Sequence, residues 1–175
     1  DLQAGKYYLI VNETAKAALS ATNRNFRAHA TVEIAGNAIT TEVNANGKPH
    51  ALTLGGTAGN YTWFDATEKK YLAYTDTKNS LNNASDATAA SAQWQISIDS
   101  EGNAVISNKQ ATVRMINYNS NRPRFACYME SNKQEPIQLY VSTATTGIRN
   151  LPQVETNCVN VYSIDGRLLR ANVQQ

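Results

Sequence analysis

Two histidines, two cysteines and 14 carboxylates are the groups with which this chain could break bonds or hold a metal, and their spacing assembles no such site. His29 and His50 stand in separate strand-like segments with no cysteine or carboxylate at ligand spacing. His50, beside Pro49, reads as a partly exposed strand residue, and neither histidine is expected to be catalytic. No Gly-rich phosphate loop, nucleophile elbow or Cys-His signature is present. In Phe125-Ala126-Cys127-Tyr128-Met129, strand alternation puts Phe125, Cys127 and Met129 on one face, so Cys127 reads as a small buried side chain. A nucleophilic thiol needs an activating base, and the sequence nominates none. Cys158 lies far along the chain; a bridge to Cys127 is open and not required. The expectation is therefore no catalytic residue, no cofactor and no metal, which leaves recognition. Sugar recognition combines an aromatic ring stacked on a pyranose with carboxylates and amides that bridge vicinal hydroxyls. The place to look for it is where this chain sets polar turns beside its 9 tyrosines.

The elements that would carry such turns repeat. Leu52-Thr53-Leu54, Trp94-Gln95-Ile96 and Ile137-Gln138-Leu139 share one alternation at spacings of 42 and 43 residues. A second series, Tyr7-Tyr8-Leu9-Ile10, Tyr61-Thr62-Trp63-Phe64 and Ala104-Val105-Ile106, opens three strands, and Ala18-Leu19, Tyr71-Leu72 and Met115-Ile116 follow each after a polar turn. In these two series the first copy stands 53 to 54 residues before the second, as if it carried an insertion of about ten residues. Three degenerate units, none able to bury its own apolar face, must close on one another around a shared core.

Turn signals separate about twelve strands, four per repeat. Strands over 30–34 and 39–43 read as a hairpin around Ala35-Gly36-Asn37 inside the long first repeat. Ser80-Leu81-Asn82 is a weak strand, and the polar, Ala-rich stretch 79–90 reads as a loop. Trp94, in register with Leu52 and Ile137, belongs to the barrel floor. Tyr61 and Trp63 share a face, and with Phe64 pointing inward they would form an exposed aromatic contact pair. At 175 residues the chain can bury one sizeable core. Its apolar fraction is ordinary at 42%, and with only 17% charged residues its solubility rests on Asn, Thr, Ser and Gln, as in an extracellular protein. A net charge of +2 sets up no steering field, so neither nucleic acid nor an anionic membrane is an expected partner. No apolar run approaches the roughly 18 residues of a membrane-spanning helix. Asp1 opens in mature-looking sequence, which reads as a processed or excised start.

Twelve strands in three fourfold units resemble the β-trefoil, in which six strands close a barrel and three hairpins cap it; an up-and-down barrel or a two-sheet sandwich is the alternative. Ricin-type trefoil lectins carry Gln-x-Trp in each unit, and this chain departs from that with Ala92-Gln93-Trp94. Carried over from such lectins, the binding positions are Tyr74, Asp76 and Asn79 in the second repeat. In the third they are Tyr118, Asn119 and Asn121, with Arg122, Arg124 and Tyr128 nearby, and the first offers Asn23, Arg24, Asn25 and Phe26. The alternative for each cluster is a hydrogen-bonded turn with a tyrosine on the barrel rim.

Residues 5–141 also resemble accessory domains of secreted Bacteroidetes proteins. The likeness is carried by Lys6-Tyr7-Tyr8-Leu9-Ile10-Val11, Lys70-Tyr71-Leu72-Ala73-Tyr74, Arg124-Phe125-Ala126-Cys127-Tyr128 and Ile137-Gln138-Leu139-Tyr140. Val159-Asn160-Val161-Tyr162-Ser163-Ile164-Asp165-Gly166-Arg167 resembles the first half of a type IX secretion sorting tail; it can also be a plain hairpin turning at Asp165-Gly166. Together these imply a trefoil domain over 1–143, a linker and partial tail over 144–175, and secretion or cell-surface display. The implied function is that of a monomeric, non-catalytic accessory module that binds glycan or an extracellular protein. A Kunitz-type trefoil protease inhibitor is the alternative, since such inhibitors open with a segment like Gly5-Lys6-Tyr7-Tyr8-Leu9-Ile10 and Arg122-Pro123-Arg124 could form a specificity loop.

Overall fold

The computed structural model describes residues 2–129, 134–143, 158–162 and 168–174, the last two as backbone only. Contacts divide the chain into two compact units, Asp1–Ala144 and Thr145–Gln175. The first holds β1 (Tyr7–Asn12), β2 (Ala17–Asn23), β3 (Phe26–Thr31), β4 (Ile34–Ala35), β5 (Ala38–Ile39), β6 (Leu52–Thr57) and β7 (Asn60–Asp65). These are followed by β8 (Lys70–Ala73), β9 (Asn82–Ala84), β10 (Trp94–Ile98), β11 (Ala104–Asn108), β12 (Arg114–Asn119), β13 (Arg124–Met129) and β14 (Gln138–Ser142). In the second unit β15 (Cys158–Tyr162) pairs antiparallel with β16 (Leu168–Gln174); the Asp165-Gly166 turn expected between them lies outside the described residues. Among the described residues no helix is long and apolar enough to cross a membrane.

The pairings close a six-stranded barrel. β1 pairs β6, β6 pairs β7, β7 meets β10 at Tyr61 and Trp94, and β10 pairs β11. Ala104 N then donates to Ile137 O at 2.7 Å, and β14 returns to β1. The hairpins β2–β3, β8–β9 and β12–β13 cap one end and join one another: β13 meets β3 at Phe125 and Arg27, Cys127 bridges to Ser80, and Leu81 N donates to Asn25 O at 2.8 Å. This is the β-trefoil. Leu52, Trp94 and Ile137 are each fully buried at the floor, as are Leu19, Leu72 and Ile116 at the hairpin roots, so the two apolar series define the core. Cys127 is a free thiol buried in that core, and burial pushes its pKa up.

Three elements refine the sequence expectation. Trp63 points inward, edge-on to Tyr8 with ring centroids 5.8 Å apart, and is fully buried; Phe64 faces outward against Tyr71, so no exposed Tyr61–Trp63 pair exists. The insertion hairpin is only β4–β5, because residue 30 is already paired to Ala18 within β2–β3. The weak strand expected at Ser80-Leu81-Asn82 lies two residues later, as β9, with Leu81 buried ahead of it and Ser80 bridged to Cys127. The insertion hairpin has a packing role. With Val43 and Tyr140 it covers Leu9, Val11 and Ala18, the outward faces of β1 and β2, in a second small core. β1 is consequently buried on both faces.

One polar residue closes each barrel strand that opens a repeat: Asn12 ends β1, Asp65 ends β7 and Asn108 ends β11, all buried. Each caps its own turn and reaches back to the repeat before it. Asn12 Oδ1 accepts from Ala15 N (2.7 Å) while its Nδ2 donates to Pro136 O (2.7 Å), at the entrance to β14. Asn108 Oδ1 accepts from Gln110 N (3.0 Å) while its Nδ2 donates to Ser91 O (2.8 Å), shortly before β10. Asp65 Oδ1 accepts from Thr67 N (3.0 Å) and Glu68 N (3.2 Å), and its Oδ2 accepts from His50 Nδ1 (2.7 Å), shortly before β6. A carboxylate only accepts, so Nδ1 carries the proton.

In that middle seam the clasp is ionic. Arg27, fully buried, occupies the hairpin position that the third hairpin fills with Phe125: Thr22 pairs Arg27 where Tyr118 pairs Phe125. Its Nη2 donates to Asp65 Oδ2, its Nε to Ser20 O (2.8 Å), and its Nη1 to Asn83 Oδ1 (3.1 Å) and Glu68 Oε2 (3.4 Å). Glu68 also accepts from the Thr22 hydroxyl and from Asn83 Nδ2 (2.8 Å). Burial alone would raise the pKa of both acids. The His50 hydrogen bond and Arg27 outweigh it at Asp65, and the Thr22 hydrogen bonds and Arg27 outweigh it at Glu68, so both lie below their ordinary 3.8 and 4.5.

Asn12→Ala and Asn108→Ala each orphan buried backbone groups and are expected to lose about 1–3 kcal/mol in urea unfolding, additively because they sit in different seams. Asp65→Asn keeps a clasp but leaves buried Arg27 with only the more distant Glu68 as a partner charge, at a cost of up to about 3–5 kcal/mol. The double variant Arg27→Leu/Asp65→Asn, which puts an apolar residue where the third hairpin has Phe125 and Asn where the other two seams have it, should regain most of that. Because the folded pKa values are depressed, the stabilisation from Asp65 and Glu68 is complete above their unfolded values and fades as pH falls through the folded ones. Urea midpoints across pH should show the wild type losing stability in acid and the double variant losing less.

Candidate ligand-binding groove

The residues expected to bind sugar lie at the three hairpin tips, with Asn23, Arg24, Asn25 and Phe26 at the β2–β3 turn, where Asn25 O accepts from Leu81 N. Tyr74, Asp76 and Asn79 do come together, with Arg114 added from the third repeat: its Nη1 donates to Asn79 Oδ1 (2.7 Å), its Nη2 to Thr77 O (2.7 Å), and its guanidinium lies 5.6 Å from the Tyr74 ring centroid. Tyr74 is only 3% exposed, its hydroxyl donates to Lys78 O (3.0 Å), and burial raises its pKa. Asp76 Oδ1 caps its own turn through Thr77 N (2.7 Å). In the third repeat Tyr118 is likewise buried against Phe125, and Asn119 Oδ1 accepts from Arg122 N (2.9 Å). Asn121 and Arg122 are exposed, and Arg124 stacks on Phe26 at 4.8 Å and reaches Tyr128 OH at 3.3 Å. The tyrosines therefore turn no ring face to solvent, and most of the polar groups are engaged within the hairpins.

Folding also gathers His50, Asp65 and Glu68, with donor atoms within 4.8 Å of one another. Spacing along the chain gave no hint of this, and His50 is buried rather than partly exposed. The positive charge that such a cluster invites is already present as Arg27, which donates to both carboxylates. The cluster is a structural ion network.

A groove of about 430 Å³ runs along the outer face of β14, where the third repeat closes on the first. Its polar walls are Glu13, Asn37, Glu101, Asn103, Gln138 and Tyr140. Side chains alternate along β14, so Gln138 and Tyr140 share one face and Leu139 and Val141 the other. The groove is pre-organised. Glu13 N donates to Gln138 Oε1 (3.0 Å), Gln138 Nε2 to Asn103 Oδ1 (2.7 Å), and Tyr140 OH to Glu13 Oε1 (2.6 Å). Asn103 Nδ2 in turn donates to Glu101 Oε2 (3.3 Å). Burial, then the hydrogen bond to Glu13 and its charge, push the Tyr140 pKa up to about 12, so the hydroxyl stays a donor at neutral pH. Glu13, Asn37 and Glu101 are exposed on the walls. Two carboxylates, three amides and a fixed phenol hydroxyl form a set suited to bridging neighbouring hydroxyls.

This set breaks the threefold pattern. Tyr140 stands three residues after Ile137, where the other repeats have Gly55 and Ser97; Glu13 follows Asn12, where they have Ala66 and Lys109. Asn37 comes from the insertion hairpin, which also packs beneath the Tyr140 ring. Sequence reasoning missed these residues because it looked in the hairpin tips, although the unequal repeat spacing pointed to the first repeat.

No protein-family model matches this sequence, and no curated protein matches it. Among solved structures, the fold is similar to the GlcNAcα1-4Gal-releasing endo-β-galactosidase from Clostridium perfringens (TM-score 0.59, 15% identity), covering 78% of this chain and 32% of that one. It is similar to the BEL β-trefoil (TM-score 0.59, 12% identity, 81% and 96% covered). The designed threefold-symmetric protein ThreeFoil matches with TM-score 0.55 and 14% identity over 77% of this chain and 97% of that one. At these identities the similarities show a shared β-trefoil fold; the chain spans about a third of the endo-β-galactosidase.

Proposed function

We propose that residues 1–143 form a non-catalytic carbohydrate-binding module of a secreted or cell-surface protein, with the groove along β14 as its sugar site. The observation that carries this is the break in symmetry. Asn12, Asp65 and Asn108 clasp the three seams from matching positions, the middle one with an added ion network, and at the seam of the third repeat with the first, Glu13 and Tyr140 stand where the other two have small or unlike residues, beside an inserted hairpin that contributes Asn37. The Tyr140 hydroxyl and the Glu13, Glu101, Asn103 and Gln138 groups offer donors and acceptors at fixed separations, as vicinal diols require. Attachment to a larger exported protein accords with the match to part of the endo-β-galactosidase. Residues 144–175 are, on the likeness of their Val159-Asn160-Val161-Tyr162 run, the beginning of a sorting tail; deleting 144–175 from the exported protein should trap it in the periplasm, and unchanged surface display would refute this.

A glycan array with the purified chain tests the main reading. A glycan that binds should lose about tenfold or more in affinity with Tyr140→Phe and with Glu101→Gln, each removing a group that hydrogen-bonds near a charge, while Asp76→Ala should leave affinity unchanged. Silence across the array, or binding lost with Asp76→Ala and kept with Tyr140→Phe, would overturn it.

A further inference from the structure

Behind β14 lies a second cavity, of about 740 Å³, at the barrel end away from the hairpin cap. Its lining is more apolar than polar: Leu2, Tyr61, Ile96 and Leu139 are partly buried in it beside Tyr8 and Ser97, and Ile98 and Val141 stand 50% and 61% exposed at its edge. Gly102, Leu139 and Val141 border both this mouth and the polar groove. The two spaces are thus the two sides of one strand. β11 meets β14 through Ala104 N and Ile137 O; further along β14, the separation from the 99–103 turn is spanned by the Gln138 to Asn103 side-chain bond. The shared rim is low at Gly102, which has φ +87° and no atom within 4 Å of where a Cβ would stand.

From this continuity we propose that the ligand is amphipathic: a glycoside whose sugar sits in the groove and whose apolar aglycone passes over Gly102 into the barrel mouth. The inference rests on the groove being the sugar site and adds the chemistry of the aglycone. A bare sugar would leave Ile98 and Val141 in water, whereas an alkyl chain removes apolar surface on both partners. The Tyr8 hydroxyl, also at the mouth, already accepts from Gln3 N at 2.9 Å, so its oxygen has a partner within the protein. Mouths of β-barrels are recurrent sites for ligands of this kind.

Isothermal titration of the whole chain with methyl, hexyl and octyl β-D-galactopyranosides and β-D-glucopyranosides below their micelle concentrations tests this, with octanol as the sugarless control. Affinity should rise with chain length, up to about fourfold per buried methylene, for at least one headgroup. Ile98→Asp, at an exposed position, should abolish the chain-length gain and spare the methyl glycoside; Tyr140→Phe should weaken every member of the series by one factor. Methyl and octyl glycosides binding equally would overturn the aglycone site and leave the sugar site standing. Octanol binding as well as the octyl glycosides, untouched by Tyr140→Phe, would overturn the coupling of the two spaces. No binding of any octyl glycoside would overturn it outright.

Discussion

The side chain that ends the opening strand of each repeat is the contact on which the rest depends. Asn12, Asp65 and Asn108 each hold a tight turn with one oxygen and grip the preceding repeat with the other end of the same group. A barrel made of three units that cannot bury their own faces needs a device that sets one unit against the next, and hydrophobic contact alone is not directional. A buried polar group with a fixed set of partners is directional, because every mispositioning leaves donors or acceptors unpaired. The middle seam adds charge to the same device. Arg27 in the place of a core aromatic is tolerable only because Asp65 and Glu68 meet it, and together with Thr22 and Asn83 they tie the first two hairpins together.

From the clasp to the candidate site is one residue. Asn12 fixes the entrance of β14 through Pro136, which sets Glu13 N against Gln138 and so aligns the carboxylate with Tyr140. The insertion hairpin covers the otherwise outward-facing Leu9 and Val11 and gives Tyr140 an apolar bed. Packing that looks like an embellishment of the first repeat therefore holds the phenol in place and contributes the groove's Asn37 wall. Where the three seams are alike they serve the fold. The seam of the third repeat with the first departs at positions the barrel closure does not use, and that is where we place the proposed sugar site.

The threefold barrel was legible because apolar alternation returns at near-constant spacing, and the positions it marked, from Leu52 to Trp94 and Ile137, are the ones that pack at the floor. For Trp63 the sequence leaves the face open, since alternation says which residues share a face and not which face is inside; its contact with Tyr8 comes from another strand. β9 was legible only as a weak strand and two residues early, as Asn82-Asn83-Ala84 has little strand propensity and owes its place to neighbouring Leu81 and the cap. The burial of His50 and the ion network depend on residues 15 to 56 positions apart, which no local pattern reveals. The groove was hidden for the same reason: Glu13 and Tyr140 meet only because the last barrel strand returns to the first.

The most direct measurement is an amide-resolved NMR titration of the 15N-labelled chain with a glycan selected on the array. Shifts concentrated at Glu13, Asn103, Gln138 and Tyr140 are predicted, with the hairpin tips silent. Shifts centred on Thr77, Asn79, Asn119 and Arg122, with the β14 seam unmoved, would contradict the placement of the site and return binding to the hairpin turns.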